Sequence, residues 1–216
     1  MLNLFPWKNH WNIQYLRDRI LRSCFEFRHS DSPWLTKRSI EIIGQHLTAD
    51  STGFEWGSGR STIWFASRVK TIHSVEHDQD WFENVSNELD SKDLHNVTLN
   101  MIPLNSRQGR DYVHAFDSLL QPPDFILVDG KLRDCCALRS LILLKPGGML
   151  IVDNINRFLP SDSRSPESVP RFDKPSSYNW SKFDQITSNW SKVWTCDGVT
   201  DTALFFKPLI SEGNSL

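Results

Sequence analysis

Cysteine is scarce in this chain, and the four present, Cys24, Cys135, Cys136 and Cys196, form no CxxC pair. That excludes a zinc module of the usual spacing, and four thiols are too few to staple 216 residues. Reduced cysteines in a cytoplasmic protein are expected, with the adjacent Cys135 and Cys136 facing the core. Long hydrophobic runs are missing as well: no stretch reaches the ~20 apolar residues that a membrane-spanning helix needs. The start, Met1-Leu2-Asn3-Leu4-Phe5-Pro6-Trp7-Lys8, lacks the charged opening, apolar run and small-residue cleavage site of a secretory leader. Nor does one charge dominate. With 24 Lys and Arg against 26 Asp and Glu, the formal net charge is −2, which excludes broad attraction to nucleic acid or an anionic membrane and leaves only a local basic patch open. The nine tryptophans recur at no fixed period, so a propeller or solenoid is excluded too.

What the chain does carry is patterning. In residues 12–28, Ile13, Leu16, Ile20, Cys24 and Phe27 recur at steps of three and four, an apolar stripe among arginines and acids. The spacing predicts an amphipathic helix that packs on the main domain or on a second copy of the chain, a homodimer. Acids on its polar face speak against a membrane surface. A second helix is expected from Leu35 to Leu47, with Ile40, Ile43 and Leu47 as its stripe. From Thr52, short apolar runs alternate with helical stretches, the signature of βαβ units and a mainly parallel sheet covered by helices on both faces. Strands are expected near 52–56, 71–76, 96–102, 124–129, 147–153, 190–196 and 202–207, and helices near 61–68, 80–91, 109–119, 132–144 and 178–189. The link Asp197-Gly198-Val199-Thr200-Asp201 is too short for a parallel crossover, so the last two strands form an antiparallel pair. The fold class is α/β, doubly wound, with an antiparallel terminal strand.

The pattern divides the chain into an N-terminal helical extension over 1–33, one domain over 34–208 and a flexible tail over 209–216. Within the domain, residues 156–177 carry Pro160, Pro166, Pro170 and Pro175 among serines and the charges Arg157, Arg164, Arg171 and Lys174. Such a stretch is either a lid over the strand ends or a disordered connection.

The chemistry is concentrated at strand ends. In Gly53-Phe54-Glu55-Trp56-Gly57-Ser58-Gly59-Arg60-Ser61-Thr62 an apolar strand ends in an acid, and two glycines follow before a helix start. Glycines there permit a tight turn and close approach of a ligand to backbone N–H groups. Glu55 would repel a pyrophosphate but suits the ammonium of an amino-acid-like ligand. The next strand, Thr71-Ile72-His73-Ser74-Val75-Glu76, ends in a second acid 19 positions after Gly57, the reach of a ribose diol beside the first turn. Either Glu76 binds that ribose or it is a surface acid. Asp129 ends the fourth strand and Asp153-Asn154 the fifth, at the edge where ligands sit in open α/β sheets.

Glu-Trp-Gly-Ser-Gly-Arg-Ser-Thr (55–62), Ser-Val-Glu-His-Asp (74–78), Asp-Phe-Ile-Leu-Val-Asp-Gly (124–130) and Leu-Leu-Lys-Pro-Gly-Gly-Met-Leu-Ile-Val-Asp-Asn (143–154) together resemble the class I S-adenosylmethionine-dependent methyltransferases, in that family's order and across roughly residues 34–207. Ser61 stands where many members have a third glycine. The resemblance implies a seven-stranded sheet, S-adenosylmethionine as cofactor and a cofactor site drawn from Glu55, Trp56, Gly57, Ser58, Gly59, Ser61, Thr62, Glu76, His77 and Asp129. Asn105, Ser106 and Arg107 are the candidates for the adenine, or form a solvated turn. Asp129, Asp153 and Asn154 are hard oxygen ligands suited to Mg²⁺ or another divalent cation, and they resemble the metal site of catechol and caffeoyl-coenzyme A O-methyltransferases. The alternative is that Asp129 orients substrate or cofactor without metal while Asp153 and Asn154 cap the strand. Asp129 and Lys131 are the catalytic candidates, Lys131 as base or oxyanion partner. His73, His77 and His114 are set aside as bases: His73 lies in a strand, His114 in a predicted helix, and His77 suits a pocket wall.

These readings lead to O-methylation of a small hydroxylated metabolite, with no nucleic-acid partner. Two competitors are an NAD(P)-dependent oxidoreductase, against which Glu55 and Ser61-Thr62 speak, and a non-catalytic scaffold of the same fold, against which the intact Glu55, Gly57, Gly59 and Glu76 speak.

Overall fold

A computed structural model describes residues 12–209. Seven strands form one sheet: β1 Thr52–Trp56, β2 Thr71–Glu76, β3 Val97–Met101, β4 Phe125–Val128, β5 Met149–Asp153, β6 Ser191–Cys196 and β7 Asp201–Phe206. Their spatial order is β3-β2-β1-β4-β5-β7-β6. β1 to β5 run parallel, while β7 is antiparallel to both β5 and β6. β4 (FILV) and β5 (MLIVD) are buried along their whole length, as unbroken apolar strands at the centre of a helix-covered sheet must be. The edge strands β3 and β6 keep part of their residues exposed.

Alternation along each strand builds a core on each face. Phe54, Trp56, Ile126, Val128, Leu150, Val152 and Phe205 point to one side, onto Tyr112, Phe116, Trp180 and Phe183. Phe125, Leu127, Met149, Ile151 and Leu204 point to the other, onto Ile43, Ile63 and Phe65. Among the described residues, seven α-helices surround the sheet: α1 Ile13–Arg28, α2 Lys37–His46, α3 Arg60–Ala66, α4 Gln79–Ser91, α5 Arg110–Val113, α6 Arg133–Leu143 and α7 Tyr178–Ile186. Asn12, Asp78 and Ser177 cap α1, α4 and α7 by accepting from the amide three residues on.

Two sequence expectations change here. The helix expected over 109–119 stops at Val113, because the next residues form tight turns of i→i−3 bonds such as Asp117 N to His114 O at 3.1 Å. Those turns deliver Phe116 into the core, stacked on Phe54 at 4.7 Å and edge-on to Trp56 at 4.9 Å. The stripe of α1 does not pack on the domain either. Ile13 is 89% and Phe27 88% exposed, and Leu16, Ile20 and Cys24 are exposed with them. The helix is held instead by its other side, through Phe25 packed against the core, Arg22 Nη1 to Asp197 Oδ2 at 2.9 Å, Arg22 Nη2 to the Trp34 carbonyl at 3.1 Å and Arg164 to Asp18 at 3.1 Å.

The proline-rich stretch has a defined path. Val169 N bonds Asn156 O at 2.7 Å, Ser161 N bonds Val169 O at 3.1 Å, and Ser165 Oγ donates to Asp201 Oδ1 at 2.6 Å, laying the loop along the β7 end of the sheet. Cys136 is buried as expected and Cys135 half-buried; none of the four cysteines is in a disulfide. Most of the expected tail, residues 210–216, lies outside the described residues. Among the described residues no helix is long and apolar enough to cross a membrane.

Candidate functional site

β1 ends at Trp56, and Gly57 turns the chain with φ +92°, its N–H bonded to the Val75 carbonyl at 2.9 Å. The turn lies flat against the one after β4: a Cβ on Gly57 would stand 2.7 Å from both Cα and N of Gly130. Gly59 N then donates to Thr62 Oγ1 at 2.9 Å, closing the first turn of α3. Glu55 lies beneath this turn rather than on its open side. Its carboxylate is fully buried and accepts from Thr62 Oγ1 and Ser74 Oγ, both at 2.6 Å, and from the Ser61 hydroxyl. Trp56 is buried as well, with its indole N–H on the Tyr112 carbonyl at 2.9 Å.

Burial pushes the Glu55 carboxyl up from 4.5 to about 7, against the opposing pull of its three hydroxyl donors. The folded protein therefore keeps a proton that the unfolded chain releases near 4.5. Stability from this group is full below that value and is lost as pH rises through about 7. Denaturant titrations are expected to show an unfolding free energy that falls across this window by roughly 3 kcal/mol in total. Glu55→Gln, which cannot ionise, should flatten the slope; an unchanged slope in that variant would assign the proton elsewhere.

Glu76, at the end of β2, is 3% exposed. Its Oε2 accepts from Ser58 N at 3.0 Å and Ser58 Oγ at 3.1 Å, and its Oε1 from the amides of His77 at 2.7 Å and Asp78 at 3.0 Å. It lies in the wall of a cleft of about 530 Å³, bounded by Gly57, Ser58 and Ser61 on the β1 side and by Asp129 and Gly130 on the β4 side. His77 and Lys131 line the same cleft. Glu55, Trp56, Gly59 and Thr62 do not reach this wall and shape the turn from behind.

Trp34, Arg60, Asp78, Trp81 and Arg133, none of them a site residue expected from the sequence, also line the cleft. Trp34 and Trp81 stack at 6.1 Å, the Arg60 guanidinium lies 5.0 Å over Trp34, and Trp81 Nε1 donates to the Ser58 carbonyl at 2.7 Å. An aromatic wall thus stands over the glycine turn. No periodicity marks it, because its two tryptophans come from a loop before α2 and from α4. Asn105 and Arg107 are exposed and away from the cleft, and Ser106 opens the 3₁₀ turn Ser106–Gly109. His73 packs edge-on to Phe54, and burial lowers its pKa. His114 pairs on the surface with Asp117 at 2.6 Å.

The strand-end acids do come together. Asp129 lines both the cleft and a second cavity of about 490 Å³, whose other walls include Asp153, Asn154 and Arg157 and, from α1, Arg19 and Arg22. Trp34 borders both cavities. The cation at Asp129 is Arg133, with Nη2 2.6 Å from Asp129 Oδ1, whereas Lys131 is exposed and lines both the cleft and a groove beside Phe158 and Trp180. Burial raises the pKa of both Asp129 and Asp153. The Asp153 charge adds to the rise at Asp129, and Arg133 opposes it at both. Among the described residues no group of three or more His, Cys, Asp or Glu is placed to hold a metal ion.

No protein-family model and no curated protein matches the chain. Solved structures do. An O-methyltransferase from Bacillus cereus in complex with SAH superposes with a TM-score of 0.57 at 14% identity, covering 91% of each chain. The fold is that of the class I methyltransferases. A methyltransferase-like protein from Silicibacter pomeroyi gives a TM-score of 0.54 at 19% identity, covering 84% of this chain and 92% of its own. An rRNA methylase from Streptococcus thermophilus gives 0.54 at 9%, covering 79% and 95%. The same fold thus occurs in proteins named for different acceptors, and the acceptor must be argued from this chain's own residues.

Proposed function

We propose that this chain transfers a methyl group from S-adenosylmethionine to a hydroxyl of a small acceptor. The observation that carries the reading is Glu76: a buried carboxylate in the wall of a cleft, beside a glycine turn, saturated by donors of which one, the Ser58 hydroxyl, can rotate away for a ribose hydroxyl. The cleft volume is in the range that holds a nucleoside-sized ligand. Glu76, Asp78, Asp80 and Asp129 outnumber Arg60, Lys131 and Arg133 on its walls. Those charges suit a cofactor with a sulfonium and an ammonium better than a pyrophosphate.

When bound, the cofactor supplies an electrophilic methyl group, which the acceptor oxygen takes while the sulfur keeps the bonding pair. In this reading Gly57 and Ser58 receive the methionine part and Glu76 the ribose. The acceptor occupies the second cavity, and Asp129, common to both, receives its hydroxyl proton. Trp34, which borders both cavities, stands beside the point where they meet and shields the line of transfer from water. A cavity of this size walled partly by α1 suits a small metabolite rather than nucleic acid. The uncovered stripe of α1 suits a second copy of the chain, which light scattering would reveal as a dimer.

Saturating SAH is expected to raise the melting temperature by roughly 5–10 °C, and NAD⁺ to leave it unchanged. Stabilisation by NAD⁺ instead would replace this reading with the oxidoreductase one.

A further inference from the structure

Arg133 stands where a divalent cation would have to bind. It opens α6, and its guanidinium lies between the ends of β4 and β5. Nε donates to the Gly130 carbonyl at 3.0 Å. Nη1 donates to the Asp153 carbonyl at 2.6 Å and to Asn154 Oδ1 at 3.0 Å. Nη2 donates to the Asp129 carbonyl at 2.5 Å and to Asp129 Oδ1 at 2.6 Å. Those are all the N–H bonds that a guanidinium has. Nη1 also stands 3.9 Å from Asp153 Oδ2, while Asp153 Oδ1 accepts from Thr202 Oγ1 at 2.9 Å. The Asn154 amide is turned so that its nitrogen donates to Thr200 Oγ1 at 2.6 Å, which commits its oxygen to Arg133. The donor set Asp129, Asp153 and Asn154 therefore does not fit an added metal ion. Its oxygens already surround a fixed positive charge, and a divalent ion among them would face that charge at close range.

We infer that Arg133 is the resident cation of this site, a positioning residue that holds Asp129 and the β5 end in place of a metal, so that Asp129 serves the acceptor without a divalent ion. With every N–H engaged, Arg133 keeps none for substrate and acts through Asp129. The acceptor then has no need of two adjacent oxygens, as chelation by an ion would demand; a single hydroxyl suffices. The role assigned to Asp129 rests on the proposed methyl transfer. The cation's place does not.

Mn²⁺ titration followed by electron paramagnetic resonance tests this on the full chain, with no acceptor needed. Wild type should bind no Mn²⁺ at sub-millimolar concentration. Arg133→Ala, which uncovers the three oxygens, should bind at least ~10-fold more tightly than wild type, and adding Asp153→Asn should abolish the gain. A merely structural arginine would create no metal site when removed. Sub-millimolar binding by wild type that Asp153→Asn abolishes, or no gain in a folded Arg133→Ala, overturns the inference. If Arg133→Ala does not fold, Arg133→Gln takes its place, and the wild-type titration decides by itself against a native metal site. SAH titrated into the same samples keeps the readings apart: loss of SAH binding with these Mn²⁺ results would sink the methyl-transfer reading and leave the cation's place standing.

Discussion

Replacing Glu76 by Gln should weaken SAH binding by roughly 10-fold to 100-fold, because a ribose hydroxyl donating to a buried carboxylate contributes about 1.5–3 kcal/mol. The substitution is nearly isosteric, yet it cannot be silent in the free protein. One carboxylate oxygen receives Ser58 N and Oγ and the other the amides of His77 and Asp78. Whichever way the new amide is turned, its NH₂ faces donors. A stability loss of about 1–3 kcal/mol is therefore expected alongside the loss of affinity. Calorimetric titration with SAH and a denaturant curve on the same sample separate the two. A folded Glu76→Gln protein that binds SAH as wild type does would show that Glu76 serves only the loop, and the ribose assignment would be wrong.

Gly57→Ala is the second large effect. A φ of +92° places a side-chain-bearing residue in a disfavoured region, and the new Cβ would stand 2.7 Å from Cα and N of Gly130. Neither atom can rotate aside, since Gly130 leads out of β4 and is itself closed in: a Cβ there would meet the Tyr112 hydroxyl. The two turns must separate, which opens the cleft at its floor. We expect a loss of about 4 kcal/mol or more and a melting temperature lower by roughly 10 °C, with SAH binding lost as well. Gly59→Ala is the control, because its backbone is extended and its Cβ would meet only the Trp81 ring, at 3.6 Å and beyond. Equal damage from the two substitutions would refute the close-packed-turn explanation. In the sequence the two glycines look alike; the neighbouring turn makes them different.

Local pattern carried much of the result. Short apolar runs alternating with helical stretches mark the strands of a mainly parallel sheet, and the short 197–201 link requires the antiparallel pair that the structure shows between β6 and β7. The acids at 55, 76, 129 and 153 all lie at strand ends because a parallel sheet collects such ends on one edge. These features are legible because they depend on period, spacing and chain reach, which the sequence itself contains.

Tertiary structure decided the rest. It placed Glu55 beneath the glycine turn, because the hydroxyls of Ser61, Thr62 and Ser74 close over it from α3 and β2. It turned the stripe of α1 outward, because Arg22 and Asp18 tie the opposite side of that helix to Asp197 and Arg164. It also gave the Asp129, Asp153 and Asn154 oxygens to Arg133. No spacing shows that the guanidinium of Arg133, four positions after Asp129, also reaches residues 20 and 21 positions further on. That reach exists only once β4 and β5 lie side by side, since a hydrogen bond depends on distance in space, which sequence separation does not determine.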